Sequence, residues 1–374
     1  MQGVSRQPEE PKAPKSPVRR RLIASCVLLI ACPALMLILS HGPTALRSLH
    51  RSISKGIAWA LSTITSIVPF AVWDILILAT LVLVPVMLAW RWRKGLPVLP
   101  VLSGVLLSFS LGLFLFVGWA CNHYAPQLAT ELGLEVREYS TEELAQTTQF
   151  YLEEAARLAP EVPRDENGEL ERQDFYELAR KAGSSYASLG QSYDIFKGPT
   201  TRVKALLIWG EPLLYSGHTG IYFAPTGESG IPLNCAVADM PFIMCHEAAH
   251  RLCLAGEDEA NFAAILACTT SDDARFSYSG NFNAFSYCYS ALYAVNPDRA
   301  RQVMEDALAA EVGKNVLMVA EDYNITHEYY DAYNGPFEEV GRTVNDGYLK
   351  SFGEDDGVRS YGLVVDYLIA WHLS

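Results

Sequence analysis

The sequence predicts a helix-dominated α+β protein in which three transmembrane helices precede an extracytoplasmic domain with a small sheet. Half of its 374 residues are hydrophobic, which is a high share for a purely soluble protein. Three long apolar runs lie in the first third of the chain. The remainder combines helical patterns with short β-branched or aromatic runs set off by glycine and proline. These observations predict a membrane region followed by one folded domain.

The chain begins with a polar segment, residues 1–21, that contains four prolines and ends in three consecutive arginines. This composition predicts a disordered basic tail. Residues 22–40 then form an uncharged apolar run long enough to cross about 30 Å of hydrocarbon. A signal peptide is the alternative interpretation. The run is longer than a typical signal-peptide core and two further spans follow it, so we interpret it as a first transmembrane helix.

The predicted membrane region extends over residues 22–121, with further spans at 70–90 and 98–119. The second span is interrupted only by Asp74, and the third contains no charged residue. Between the first two spans, three cations recur every four residues opposite apolar positions, which predicts an interfacial amphipathic helix near 45–66. These cations are Arg47, Arg51 and Lys55.

Basic residues flank the spans unevenly, and this predicts the orientation of the chain. They cluster before the first span and directly after the second. Because positive charges favour the cytoplasmic side, the N-terminus is expected inside. An odd number of spans then places residues 122–374 on the outer face of the cytoplasmic membrane.

Charge and cysteine usage argue against nucleic-acid binding and against a zinc-finger site. The net charge of −13 is carried by the region after the spans, which argues against a nucleic-acid partner. The eight cysteines lack zinc-finger spacing. They are expected to be mostly small buried hydrophobes, although disulfides remain open for a domain outside the cell.

The domain at 122–374 carries several local structure signals. Ser140 and Glu143 form a capping-box pattern that predicts a helix through Ala159. Residues 204–209 and 220–224 are predicted strands. The other predicted elements are a helix at 174–189, a turn at 227–230 before a run at 231–234, and, after Pro241, helices at the histidine motif, at 257–269 and 281–294, after the Asn296 cap, near 313–333 and twice more before the C-terminus.

The most informative motif is His246-Glu247-x-x-His250, followed by Glu257 and Glu259. On a helix the two histidines lie one turn apart on one face, with roughly 6 Å between their Cβ atoms, so both can bind one metal ion. Glu247 can act as the general base beside the metal. Catalytic zinc usually takes a third protein ligand, and Glu257 and Glu259 are both candidates.

Structural histidines are the alternative to a metal site. The surroundings of the motif are apolar, and two histidines without a partner would be costly to bury there, so the metal site is favoured. His218 and His327 lack metal-ligand spacing and are expected to be surface or hydrogen-bonded residues. His123 is expected to be an interfacial anchor. Tyr361 is one candidate for a hydroxyl that stabilises an oxyanion, but the sequence does not distinguish it among 19 tyrosines.

The motif resembles that of the gluzincin metallopeptidases, whose third ligand is the glutamate of an ExxxD helix. The resemblance implies a zincin-like domain with Zn²⁺ held by His246, His250 and Glu257. Glu257 and Asn261 share one helix face at i and i+4, whereas Glu259 points about 200° away from Glu257. Asn261 replaces the usual aspartate and keeps an amide oxygen that can accept a hydrogen bond from a ligand histidine.

A closer resemblance links the chain to an uncharacterised family of bacterial membrane proteins, classed as a domain of unknown function. It is carried by residues 257–262 after three hydrophobic spans, together with 220–222, 225–228 and 360–362. Cys253 departs from the pattern, since the family tends to have glycine in this turn.

The sequence therefore predicts a membrane-anchored zinc metallopeptidase that hydrolyses a peptide or protein substrate. The alternatives are a zinc-containing but non-catalytic sensor or binding module for peptides or cell-wall fragments, and a membrane protein whose metal only stabilises the fold. Peptidase is favoured because Glu247 has no purpose in a structural site, where a fourth ligand would complete the coordination. The expected partners are the substrate and the lipid bilayer.

Overall fold

The computed structural model describes residues 16–352 and 362–374 of the chain. Most of the predicted N-terminal tail and Tyr361 therefore lie outside the described residues. Helices dominate the described part and a single small sheet accompanies them. The prediction of a helix-dominated α+β protein is confirmed at this level.

Three apolar helices are long enough to cross a membrane: α1 (Pro17–His41), α3 (Val72–Arg93) and α4 (Leu99–Ala120). The first begins earlier than predicted, so residues 17–21 belong to a helix rather than to the tail. Ser16 caps this helix by accepting a hydrogen bond from the Arg19 N–H at 3.3 Å, and Pro17 occupies the first helical position. α1 and α4 pack along each other, whereas α3 meets α4 at few positions.

Helix α2 (Thr44–Thr65) occupies the segment between the first two apolar helices. Its cations bind backbone carbonyls of the protein: Arg47 donates to Leu39 O, Arg51 to Pro126 O and Lys55 to Ile195 O. The apolar side chains of its opposite face are exposed. These are Leu49, Ile53, Ile57 and Ile64. α2 thus turns its basic face towards the folded chain and its apolar face outward, as an interfacial helix requires.

The sheet contains three strands in the order β1-β3-β2. The strands are β1 (Lys204–Leu206), β2 (Ile221–Phe223) and β3 (Glu228–Pro232). β1 runs parallel to β3 with Lys204 opposite Gly230, and β2 runs antiparallel with Ile221 opposite Gly230. Of the described strands, β2 therefore lies at one edge.

The prediction of a turn at 227–230 is wrong by three residues, because β3 already begins at Glu228. The chain reverses at Ala224 to Gly227, where Gly227 has a φ of 68° and donates to Phe223 O. Long-range contacts extend the strand: Glu228 binds the start of α3, and the Ser229 hydroxyl donates to Glu247 O at 2.6 Å.

The sheet is joined to the apolar helix α3 by a cluster that we call the anchor junction, formed by Asp74, Lys204 and Glu228. Asp74 accepts hydrogen bonds from three successive backbone N–H groups at residues 207–209. This explains why β1 ends at Leu206 rather than at residue 209. Glu228 accepts from the backbone N–H groups of Val72 and Trp73, and its carboxylate lies 3.7 Å from Lys204 Nζ.

Thirteen labelled helices follow α3 in the described residues. Beyond α4 these are α5 (Leu128–Leu132), α6 (Thr141–Leu158), α7 (Phe175–Ser184), α8 (Leu189–Ser192), α9 (Gly210–Tyr215), α10 (Met240–Arg251), α11 (Glu257–Thr269), α12 (Ala274–Val295), α13 (Pro297–Ala309), α14 (Gly313–Asp331), α15 (Pro336–Ser351) and α16 (Leu363–His372). The capping box at Ser140 and Glu143 is present. α7 ends five residues before the predicted end, and α12 begins seven residues before its predicted start because Asp273 caps it.

The main hydrophobic core lies among α6, α10, α11 and α12, with α16 packed against them. Phe276, Tyr278, Phe282 and Phe285 of α12 are buried in it. Seven of the eight cysteines are buried, and none is paired in a disulfide. α10, the helix of the histidine motif, thus lies inside the core between α11, α12 and β3.

Candidate metal centre

Helix α10 places His246 and His250 on one face, with their ring centroids 4.7 Å apart. Pro241 lies in its first turn, where a missing N–H costs nothing, and the helix ends at Arg251. The Ser229 hydroxyl bonds the Glu247 carbonyl and ties the middle of the helix to β3. The two histidines are therefore held on a rigid element.

The turn between α10 and α11 is tight, and Cys253 adopts the left-handed conformation that it requires, with a φ of 64°. The Cys253 N–H donates to His250 O at 2.9 Å and the Leu254 N–H donates to Ala249 O at 3.3 Å. This geometry is typical of glycine at a helix C-terminus. The departure that the sequence showed at Cys253 is accommodated, and seven residues are enough to bring Glu257 back to the histidines.

Glu257, the first residue of α11, lies against both histidines. Its Oε2 is 3.3 Å from His246 Nε2, and its Oε1 is 3.8 Å from His250 Nε2. One donor atom from each of the three residues lies within 4.8 Å of the others, so this group could hold a metal ion. Glu259 points elsewhere and accepts a hydrogen bond from the Leu128 N–H at 2.6 Å.

The second nitrogen of each histidine has a different environment. His250 Nδ1 lies 2.8 Å from Leu254 O, so Nδ1 carries the proton and donates, which leaves the lone pair on Nε2 facing Glu257. His246 Nδ1 is buried without a hydrogen-bond partner. The Asn261 amide interacts with His246 and favours its protonated form, while Asn261 Nδ2 has no partner of its own.

Burial and mutual charge determine the protonation of the four site residues. Burial raises the pKa of Glu247 to about 8 and lowers the pKa of His250 to about 4. Burial opposes the ionisation of Glu257, but the hydrogen bond and charge of His246 and the charge of His250 lower its pKa to about 2. The pKa of His246 is raised, since Glu257 outweighs the effect of burial.

Glu247 lies beneath the backbone that leads into β2. It is 4% exposed, and its Oε2 has no hydrogen-bond partner in the protein. A Cβ atom on Gly220 would lie 2.5 Å from Glu247 Oε1. The absence of a side chain at Gly220 therefore allows the strand to approach the carboxylate this closely.

The centre lies at the end of a membrane-length helix. Trp119, on the last turn of α4, donates from Nε1 to His250 O at 2.9 Å. Its ring meets the His250 ring edge-on at 5.7 Å and the Tyr222 ring at 5.2 Å. The third apolar helix thus contacts α10 directly.

Besides Trp119, two further residues near the centre were missed by sequence reasoning. His123, interpreted as an interfacial anchor, bonds Tyr348 Oη at 3.0 Å and lies close enough for its charge to act on Glu257 and His250. Tyr287 of α12 is only partly buried, and burial together with the charges of Asp239 and Glu257 raises its pKa. Neither has a spacing signal, because each comes from a helix distant in sequence.

The other histidines considered in the sequence lie outside the centre. His218 Nδ1 bonds Ser216 Oγ at 3.0 Å, and the exposed His327 bonds Tyr323 O at 3.0 Å. Neither belongs to the ligand group, in agreement with their interpretation as hydrogen-bonded histidines.

Comparison with known proteins adds one finding. A family model described as a protein of unknown function (DUF3810) matches residues 50–369, which include two of the three apolar helices and the centre. No curated protein and no solved structure matches the chain. The expectation of an uncharacterised family is confirmed.

Proposed function

The chain belongs to the DUF3810 family of proteins of unknown function, and from its metal centre we propose that it is a membrane-anchored zinc metallopeptidase of gluzincin type. The observation that carries this proposal is the convergence of His246, His250 and Glu257 within 4.8 Å beside the buried carboxylate of Glu247. A structural metal site would need a fourth protein ligand rather than a neighbouring base.

The donor set suits zinc. Two imidazole nitrogens and one carboxylate are the three protein ligands of many catalytic zinc sites, which keep a fourth position for water or substrate. The hydrogen bond from His250 Nδ1 to Leu254 O orients Nε2 as a ligand. Asn261 interacts with His246, and its amide oxygen is our candidate for the group that orients this histidine when metal is bound.

Glu247 is the proposed general base. When bound, zinc would polarise the scissile carbonyl and lower the pKa of a water molecule towards about 7. Glu247 accepts the proton of that water and returns it to the leaving amine. Its unpartnered Oε2 leaves the carboxylate free for this exchange.

Two further groups complete the proposed site. Strand β2 is an edge of the described sheet, and an extended peptide can pair with such an edge through backbone hydrogen bonds. Because Gly220 lies against Glu247, a paired peptide would pass close to the base. Tyr287 is our candidate for the hydroxyl that stabilises the oxyanion, since it is partly exposed and lies near Glu257.

We also propose that the domain after α4 faces outward. Protease added to intact spheroplasts should then digest residues 122–374. Survival of this domain until lysis would place the centre in the cytoplasm.

The central experiment measures zinc content and peptide turnover for the purified full-length chain. The full chain is needed because α3 and α4 contact the sheet and the metal helix. We expect Glu247→Gln to retain zinc while turnover falls by about 10² to 10⁴-fold, because only proton transfer is lost. His250→Ala should lose both zinc and turnover.

Other outcomes would select the alternatives. The protein would be a non-catalytic binding module if the wild type binds zinc but cleaves nothing in a diverse peptide library, and if it binds peptides as tightly as Glu247→Gln does. If no variant contains metal, the histidines are structural.

A further inference from the structure

A long apolar cavity of about 1070 Å³ lies between α3 and α4. Along α4 it extends from Pro100 to Phe116, a rise of about 24 Å at 1.5 Å per residue. This is close to the hydrocarbon thickness of about 30 Å. The cavity, which we call the α3–α4 groove, thus follows the two helices through most of the predicted membrane region.

The α4 wall of the groove contains small residues at every fourth position: Gly104, Ser108 and Gly112. A Cβ atom on Gly112 would meet nothing within 4 Å, and one on Gly104 would meet only Arg21 Nη1 at 3.8 Å. Ser108 is exposed on the same wall. In membranes such spacing allows a second helix to approach closely, and serine donates across the contact. These features fit a helix better than a lipid acyl chain, which would gain nothing from them.

The groove also leads to the metal centre. Strand β2 connects the two, since Phe223 lines the groove and Gly220 lies against Glu247, three residues or about 10 Å along an extended strand. On the α4 side, ring centroids are 6.3 Å apart between Phe116 and Trp119 and 5.7 Å apart between Trp119 and His250. A chain leaving the groove along β2 therefore reaches the base within a few residues.

We propose that the substrate is a polypeptide with a transmembrane helix, which docks in the α3–α4 groove and is cut a few residues beyond its membrane segment. This rests on the proposed peptidase function. The small residues of α4 select a helix, and β2 receives the extended stretch that follows it. Membrane anchoring of the enzyme then serves substrate recognition as well as location.

The test uses the full-length chain in liposomes with a synthetic single-span peptide. The peptide has an apolar helix of about 20 residues and an outer polar extension that carries a fluorophore and a quencher. The extension alone serves as a soluble comparison. Gly112→Leu fills the groove, and Leu111→Trp adds bulk on the adjacent exposed position outside it. Docking is measured separately with a photo-crosslinking amino acid, placed either at Val105 in the groove or at Leu111 outside it. The Val105 probe is also combined with Gly112→Leu.

We expect the spanning peptide to crosslink from Val105 and not from Leu111. We also expect Gly112→Leu to reduce crosslinking and cleavage of the spanning peptide at least tenfold. Leu111→Trp should cleave the spanning peptide as the wild type does. Neither substitution should change cleavage of the soluble extension. Crosslinks from Val105 to lipid alone, or to a second copy of the chain, would overturn the proposal. Equal cleavage of the spanning and soluble peptides would also overturn it. Crosslinking without cleavage of any peptide would support docking while the peptidase function fails.

Discussion

Two buried clusters of charged residues meet strand β3, and they differ in how fully their charged groups are satisfied. At the anchor junction all four carboxylate oxygens of Asp74 and Glu228 accept backbone hydrogen bonds. At the metal centre Glu247 Oε2 and His246 Nδ1 have no protein partner. The residues of the anchor junction are almost free of solvent contact, as are Glu247 and His250, whereas His246 and Glu257 are partly exposed.

The comparison separates structural from functional burial of charge. Leaving a buried polar group unpaired costs about 1 to 3 kcal/mol, and more for a charged group. The anchor junction avoids this cost and therefore stabilises the attachment of the sheet to α3. At the candidate metal centre the cost of the unpaired groups remains, as expected where a metal ion or a substrate provides the missing interactions.

The largest expected effect on stability comes from breaking the anchor junction with Glu228→Gln. Lys204 is 2% exposed, and the substitution removes its neighbouring carboxylate, so the free energy of unfolding should fall by about 3 to 5 kcal/mol. Denaturant unfolding in detergent measures this loss. The double variant Lys204→Met with Glu228→Gln should recover part of it. Unchanged stability of the single variant would show that the junction is not structural.

The next effect concerns the third ligand. Glu257→Gln should weaken zinc binding by more than about 100-fold, since even residues that only orient ligands are worth 10 to 100-fold. Glu259→Gln is the matched control, because its amide oxygen can still accept from the Leu128 N–H. Chelator competition measures both affinities. A larger loss in Glu259→Gln than in Glu257→Gln would reverse the assignment.

A smaller effect is expected from a substitution that raises the zinc affinity of the centre. Asn261→Asp restores a charged partner for His246 and should raise zinc affinity by about tenfold, because a carboxylate makes a ligand histidine more basic. The same competition assay applies. An affinity at or below that of the wild type would show that Asn261 does not orient this ligand.

The smallest effect lies in the turn between α10 and α11. Cys253→Gly should change the free energy of unfolding by no more than about 1 kcal/mol, because relief of the left-handed backbone offsets the lost packing of a buried thiol. Cys253→Val should be clearly less stable, since β-branched residues strongly disfavour positive φ. Equal stability of the two variants would contradict this account of the turn.

Local signals predicted much of the fold and part of the centre. The spacing of His246 and His250, and the shared face of Glu257 and Asn261, are properties of single helices and could be derived without tertiary contacts. The capping residues of α6 and α13 are equally local.

Long-range contacts explain what could not be predicted. Asp74 was only an interruption in an apolar run, yet it determines where β1 ends by binding three backbone groups more than 130 positions later. The start of β3 depends on the contact of Glu228 with α3. Tyr287 and Trp119 reach the centre by helix packing, and no sequence periodicity marks such neighbours.

The hydrogen bond from Trp119 to the His250 carbonyl connects the apolar helix α4 to a proposed metal ligand. If displacement of α4 alters how tightly His250 binds metal, then bound metal must by linkage resist that displacement with the same free energy. Under the proposed zinc binding, metal loading and the arrangement of the apolar helices would then form one cooperative unit. Zinc should raise the unfolding temperature of the spans as well as that of the domain.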